Sequence, residues 1–307
     1  MAAFFVRRLA QSIFVVFGVS ALVFGLTFLG GDPAVVLLRG DSSLGSRDIE
    51  AFRREMGFDR PVHEQYFRYL WRAARGDLGD SLWQHRPALR LVLDRVPATL
   101  ELTAAALFVS LAIGITVGIV AALKRGSVFD SLATMAAVAG NSMPVFWLGI
   151  VLILTVSVWL RLLPASGRGG IERLVLPALT LGAYSGAIVA RLLRSSLIDV
   201  LSREYIRTAR AKGLREWVVV YRHSLKNAAL PVVTVFGLQV GTLLAGAIIT
   251  ETVFAWPGMG LLAIQAVRDR DVPVVQAFVT MAAVIVLTVN LGVDLLYGYL
   301  DPRIRYS

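Results

Sequence analysis

The sequence predicts an all-α membrane protein with six spanning helices and a small helical insertion between the first two. Composition gives the first reason: 56% of the 307 residues are hydrophobic and only 17% are charged, whereas soluble domains carry about 25% charged residues. Segregation gives the second. Six windows free of Asp, Glu, Lys and Arg run over 9–31, 102–123, 131–160, 174–190, 227–250 and 272–293. A helix needs about 20 apolar residues, within a range of about 17–25, to cross a bilayer. The third reason is that the basic excess falls in alternate loops, as the orientation rule for membrane helices requires.

Taken in order, the first window follows a basic start, MAAFFVRR. It exceeds the roughly 7–15 apolar residues of a signal-peptide core and lacks a small-x-small site, so it reads as a retained first span. The connection that follows is long and mixed in charge. Its segments DIEAFRREMGF and HEQYFRYLWRAARG place apolar residues at helical spacing, which predicts a small external helical insertion over 31–97. The second window supplies span two. The third has room for a break, and GNSMPVFW supplies one. Pro144 removes a helical hydrogen bond, and breaks of this kind line cavities in membrane proteins. Asn141, Ser142 and Pro144 are therefore candidates for a translocation path, with an ordinary kink as the alternative.

The fourth window is the shortest, and the fifth leads into VFAWPGMG. Its helix breakers and aromatic pair suit an external loop dipping into the mouth of a path, with Trp256, Pro257 and Gly258 at its tip. Trp256 serves equally as an interface anchor. Glu251 and Asp294 stand just beyond the fifth and sixth windows. Since LLYGYL continues the apolar pattern, Asp294 lies within the membrane, where a carboxylate faces a cavity or a partner group. Both acids are path candidates. For Asp294 an ion pair that fixes helix packing is the alternative.

Six spans put both termini on one side, with loops 1–8, 124–130, 191–226 and 301–307. Their net charges are +2, +1, +6 and +1, which together equal the +10 of the whole chain. Basic excess marks the cytoplasmic face, so both termini and loop 191–226 are expected inside. A sequence pI near 10.5 does not imply nucleic acid, because the charge is spread over loops between spans and forms no basic face on a soluble module.

The basic loop holds a predicted helix, REYIRTARAK. Ser202 is expected as its N-cap, Glu204 near its positive end, and Arg210 and Lys212 near its negative end. Gly213 takes the left-handed closing position. Ala209, Ala211 and Gly213 leave little side chain on its surface, which permits close approach by another body. LREWVVVYRHSLKNAAL then reads as a second helix leading to Pro231 and span five.

Catalytic chemistry is not indicated. There are no cysteines, hence no disulfide framework or thiolate metal site. No GxxxxGK[ST] cradle occurs, so any ATP is hydrolysed by a partner. His63, His85 and His223 all lie outside the windows, leaving no intramembrane base for a polar nucleophile. His63 and His85 also lack the spacing of a helical metal pair.

RTARAKG at 207–213 with HSLKNAALP at 223–231 resembles the EAA loop of ABC-importer permeases, in particular the dipeptide, oligopeptide and glutathione branch. FFVRRL, GDP at 31–33, GDLGDSL at 76–82, VPATLEL at 96–102, LPALTLG at 176–182, VFAWPGMG at 253–260 and LLYGYLDPRIRY at the end carry the resemblance along nearly the whole chain. Arg207, Thr208 and Ala209 stand where the general pattern has Glu-Ala-Ala. This departure is usual in the peptide branch. The resemblance implies a type I importer permease fold, with one N-terminal helix plus a five-helix core over 98–300 and a short tail at 301–307. It implies that Glu204, Tyr205, Arg207, Thr208, Ala209, Arg210, Ala211, Lys212 and Gly213 couple to a cytoplasmic ATPase. It implies as partners a homologous second permease forming a heterodimer, two ABC ATPase subunits that bind ATP and Mg, and an extracytoplasmic binding protein. The location implied is the cytoplasmic membrane of a bacterium or archaeon. Peptides are the expected solutes, with nickel or another solute as alternatives. An ion-coupled secondary transporter is the rival class; it would call for inverted repeats or paired broken helices, and the sequence presents no convincing repeat.

Overall fold

The computed structural model describes residues 14–25, 50–51, 53–54, 57 and 59–300, with Asn141 and 294–300 described by backbone alone. Eleven helices are named among the described residues. They are α1 (Phe14–Gly25), α2 (Val62–Ala74), α3 (Ala88–Leu93), α4 (Val96–Leu123), α5 (Val128–Ser142) and α6 (Val145–Leu152), the last prolonged by a π-helical stretch at Ile153–Trp159. There follow α7 (Ile171–Leu201), α8 (Glu204–Ala211), α9 (Glu216–Val253, with a π-helical stretch at Val219–Ser224), α10 (Met259–Arg268) and α11 (Val272–Leu300). An isolated bridge between Asp80 and Pro87 is the one β pairing among the described residues.

Four helical stretches are long and apolar enough to cross a membrane: Ala88–Leu123, Ile171–Leu201, Glu216–Val253 and Val272–Val293. A bent pair, Val128–Gly140 with Val145–Trp159, makes a fifth, turning by 110° at the Asn141–Pro144 break. Helix α1 occupies the middle of the first window, whose ends lie outside the described residues. So do the first eight residues, the tail at 301–307 and most of DIEAFRREMGF. The helices overrun the charge-free windows. The 17-residue fourth window sits inside the 31 residues of α7, because charge ends a lipid-compatible stretch without ending the hydrogen-bond ladder. For the same reason LREWVVVYRHSLKNAAL is not a separate helix. It is the first part of α9, and Pro231 lies inside that helix. A proline there removes one backbone bond, while Ala228 and Val232 on either side are buried against Val189, Leu193 and Leu197 of α7.

The chain divides into two compact units, Met1–Val96 with Leu262–Leu291, and Pro97–Leu261 with Gly292–Ser307. In the second, α7 is the central helix: 61% of its most apolar stretch is enclosed by the chain. It packs on α4 through two facing pairs of glycines. A Cβ at Gly118 would stand 2.9 Å from Ala190 O, one at Gly182 2.6 Å from Ala106 O, and one at Gly186 3.3 Å from Ser110 O, while one at Gly114 would strike Val189. Small residues four apart let membrane helices approach backbone to backbone, which supplies the packing that lipid cannot drive. A second cluster joins Ala98, Leu102 and Ala106 of α4, Leu181 of α7, Leu243 and Ala247 of α9, and Trp256.

In the first unit the GDLGDSL segment forms a tight turn clasped to the α10–α11 connection. Ser81 Oγ donates to Asp271 Oδ2 at 2.5 Å, Leu82 N–H reaches Oδ1 at 3.3 Å, and Trp83 Nε1 donates to Asp269 O at 2.7 Å. Asp271 is buried, and this partner set explains why a carboxylate is tolerated there.

Candidate functional site

The basic loop runs between α7 and α9. Helix α7 ends at Leu201, and Ser202 closes it by donating its hydroxyl to Asp199 O at 2.7 Å. Ser202 is therefore not the N-cap of α8. Arg203, in extended conformation and without a side-chain cap, holds that place. Helix α8 is eight residues long, amphipathic, with Glu204 in its first turn and Arg210 in its last, matching the helix dipole.

Ile206 and Ala209, three apart on one face, are buried against Val219 of the π-helical elbow, with Leu201 packed beside them. This corrects the expected docking face. Ala209 points into the chain, and the outward surface consists of Glu204, Tyr205, Arg207, Thr208, Arg210, Ala211 and Lys212. Arg210 makes a two-pronged bond to Glu216 at 3.1 and 2.6 Å, which holds its guanidinium above its ordinary range. Asn227 Nδ2 donates to the Tyr205 hydroxyl at 2.9 Å, so α8 is tied to the start of α9 at two points. Gly213 has φ +76°. Its N–H reaches Arg210 O, and Leu214 N–H reaches Ala209 O, closing the helix as expected. The contacts of α8 thus reach Leu201 of α7 and Val219 and Asn227 of α9.

A second connection escaped the sequence reading. Asp130, counted only as a loop charge, is buried at the start of α5 and receives Arg194 of α7 through Nε at 2.5 Å and a terminal nitrogen at 2.8 Å. Gly126 N–H adds a bond at 3.0 Å, and Ser127 caps the helix. The pair links the 124–127 turn to the helix that leads into α8. One acid and one base separated by 64 positions carry no sequence signal, since many such pairs can be drawn.

On the opposite side, Glu251 is wholly enclosed within this chain. Its carboxyl oxygens accept from Thr99 Oγ1 at 2.5 Å, Gly260 N–H at 2.7 Å and Leu261 N–H at 3.1 Å. Thr99 Oγ1 in turn accepts from Met259 N–H at 2.9 Å. The carboxyl group therefore caps the first turn of α10, where free N–H groups favour an anion. Trp256 is also fully buried, with its indole N–H on Ala98 O at 2.8 Å and its own N–H on Glu251 O. It is not a surface anchor. Gly258 leaves no room for a Cβ beside the Glu251 carboxyl, and a Cβ at Gly260 would lie 2.5 Å from Ile248 Cα. The VFAWPGMG loop is folded back over its own carboxylate, and Pro257 is half-buried.

The remaining candidates are not brought to that site. Asn141, Ser142 and Pro144 form the 110° break, with Ser142 Oγ bonded back to Val138 O at 2.9 Å and Pro144 opening α6. Asp294 lies along α11. None of the donors to Glu251 comes from these positions.

Two family models match the chain. Residues 114–306 match the binding-protein-dependent transport system inner membrane component, and residues 1–103 match the N-terminal part of the same class of membrane component. The chain is 42% identical over 339 residues to a dipeptide transport system permease protein of Escherichia coli (strain K12), with both chains fully covered. It is 42% identical over 336 residues to a di/tripeptide transport system permease protein of Pseudomonas aeruginosa (strain UCBPP-PA14). To a glutathione transport system permease protein of Escherichia coli (strain K12) it is 41% identical over 308 residues, again across 100% of both chains. Among solved structures it shares the fold of an inward-facing MetNI methionine ABC transporter chain, with a TM-score of 0.57 at 19% identity, covering 69% of this chain and 96% of that one. Helices, glycine seam, basic loop and full-length matches agree, and the chain belongs to the family of binding-protein-dependent transport system inner membrane components.

Proposed function

We propose that this chain is the permease subunit of an ABC importer for di- or oligopeptides, glutathione included, in the cytoplasmic membrane. The observation that carries the coupling part of this reading is α8. It is a short, basic, outward-facing helix, clamped by Ile206 and Ala209 to the elbow of α9 and joined to α7 by Ser202 and Arg203. That is the construction expected of a lever gripped by an ATPase. The full-length similarity to peptide permeases supports the solute class.

In this reading α1 belongs to a complete first span, giving six, and residues 31–97 form the extracytoplasmic insertion. Both termini and the 191–226 loop face the cytoplasm. A homologous second permease completes the pore, two ATPase subunits bind ATP and Mg, and a binding protein delivers the solute. Closure of the ATPases moves α8 and, through Leu201 and Val219, helices α7 and α9. The Asn141–Pro144 break and Asp294 remain path candidates, while Glu251 sets the shape of the external loop. Proteoliposomes holding the permease pair, the co-purified ATPases and the binding protein should take up a labelled dipeptide only with ATP, and vanadate should stop the uptake. Uptake driven by an ion gradient without ATP would refute the assignment.

A further inference from the structure

Helices α4, α5 and α7 border an open groove of about 180 Å³ close to where α5 leaves the 124–127 turn. Its walls are small side chains, among them Ala121 of α4 and Ala133, Thr134 and Ala137 of α5, and two arginines of α7 complete it, Arg191 and Arg194. The arginines are three apart and share one face of α7, yet their situations differ. Arg194 is spent on Asp130, through bonds at 2.5 and 2.8 Å. Arg191 is partly buried and makes no hydrogen bond or ion pair among the described residues. The segments that build the groove, 114–142 and 186–197, hold Lys124, Arg125, Arg191 and Arg194 against one acid, Asp130, a local charge of +3.

The level of Arg191 decides what can neutralise it. Gly118 of α4 packs on α7 at Ala190, since a Cβ there would stand 2.9 Å from Ala190 O. The apolar run of α4 continues from Gly118 to Leu123. At 1.5 Å per residue, Ala190 is therefore about 9 Å on the apolar side of Lys124, and Arg191 one residue nearer to it. Both helices are long and apolar enough to cross a bilayer, so the Arg191 backbone lies where acyl chains begin. A cation at that level pairs with another group. Soluble anions stay in water, whereas a phospholipid phosphate lies at the interface, within reach of a guanidinium that extends toward it. Arginine takes a phosphate through two parallel N–H bonds, and basic pockets between spanning helices bind anionic headgroups. We propose that this groove is a site for an anionic phospholipid of the leaflet on the α8 side, its phosphate held by Arg191. The lipid then lies beside the Asp130–Arg194 pair that joins the 124–127 turn to α7. The site needs only that α4 and α7 cross the bilayer, whatever the solute.

Native mass spectrometry of the complete transporter in detergent, titrated with dioleoyl-phosphatidylglycerol or dioleoyl-phosphatidylethanolamine, tests this. Three variants are compared with the parent. Arg191→Gln removes the cation, Thr134→Leu fills the groove and keeps the cation, and Arg222→Gln removes an exposed cation elsewhere. The most tightly held phosphatidylglycerol should bind Arg191→Gln and Thr134→Leu at least about tenfold more weakly, the scale of one lost charge-assisted bond. Arg222→Gln should match the parent. Equal weakening in Arg191→Gln and Arg222→Gln would overturn the proposal in favour of diffuse attraction. Phosphatidylethanolamine held as tightly as phosphatidylglycerol would overturn it in favour of an apolar groove without charge recognition. Displacement of the lipid by inorganic phosphate would overturn it in favour of a soluble-anion site. Unchanged binding in Arg191→Gln and Thr134→Leu would overturn it in favour of a protein partner over the groove. Should Arg191→Gln fail to assemble, Thr134→Leu, which retains both arginines, decides alone.

Discussion

Replacing Glu251 by alanine should release the 256–262 loop without unfolding the packed helices of its unit. The carboxyl group accepts three hydrogen bonds, from Thr99 Oγ1, Gly260 N–H and Leu261 N–H, and no water reaches it because the residue is fully buried. Alanine leaves all three donors without an acceptor, and a buried donor left unmade costs about 1–3 kcal/mol. Taking the lower figure for each, loop closure is weakened by about 3 kcal/mol, with tenfold per 1.4 kcal/mol. Amide hydrogen exchange over 256–262 should then accelerate by about a hundredfold in the local-opening regime, while exchange in the α4–α7 seam stays as it was. Glu251→Gln retains one acceptor oxygen and should lie between the two. The assay is hydrogen–deuterium exchange read by mass spectrometry on the transporter in nanodiscs. Unchanged exchange over 256–262 in the alanine variant would show that the carboxyl group does not hold the loop. Equal acceleration in the seam would show that it holds the whole core.

Three further expectations follow from the same geometry. Gly213→Val should insert and assemble but lose transport. Gly213 has φ +76° with open space around it, so the damage comes from a left-handed backbone that costs an L-residue about 1–2 kcal/mol; uptake at the parental rate with ATPases bound would refute this. Asp130→Asn and Arg194→Gln should each lower the thermal stability of the transporter: the second leaves the buried Asp130 carboxylate without its cation, and the first takes the charged acceptor from the half-buried Arg194. The reversed pair Asp130→Arg with Arg194→Asp should recover part of the loss in a detergent melting assay, and an additive double variant would sever the link. In intact cells, cysteine introduced at Ser43 and Arg168 should react with an impermeant thiol reagent, while cysteine at Arg125, Arg210 and Ser307 should not. External labelling at 210 would invert the topology.

Much of this protein was legible in its sequence because lipid imposes a simple demand. Charges are excluded from the hydrocarbon, so their spacing marks six apolar windows; among the described residues four long apolar helices and one bent pair occupy five of them, and the bend at Asn141–Pro144 follows from a proline in a window too long for one span. The short helix at Glu204–Ala211 and the left-handed Gly213 were equally open to reading, since caps and closing glycines are local. What the sequence could not state is which side chains meet. Helix ends were misplaced wherever a charge stopped a window but not a hydrogen-bond ladder, as at Arg191 of α7 and Lys226 of α9. Ser202 was ambiguous because a serine between two helices serves either one. Ala209 was taken as surface, yet the elbow at Val219 folds over it. The Asp130–Arg194 pair and the Glu251 cradle built from Thr99 and the α10 N–H groups both join residues distant in the chain. Their partners are chosen by helix packing, and only the tertiary structure holds that information.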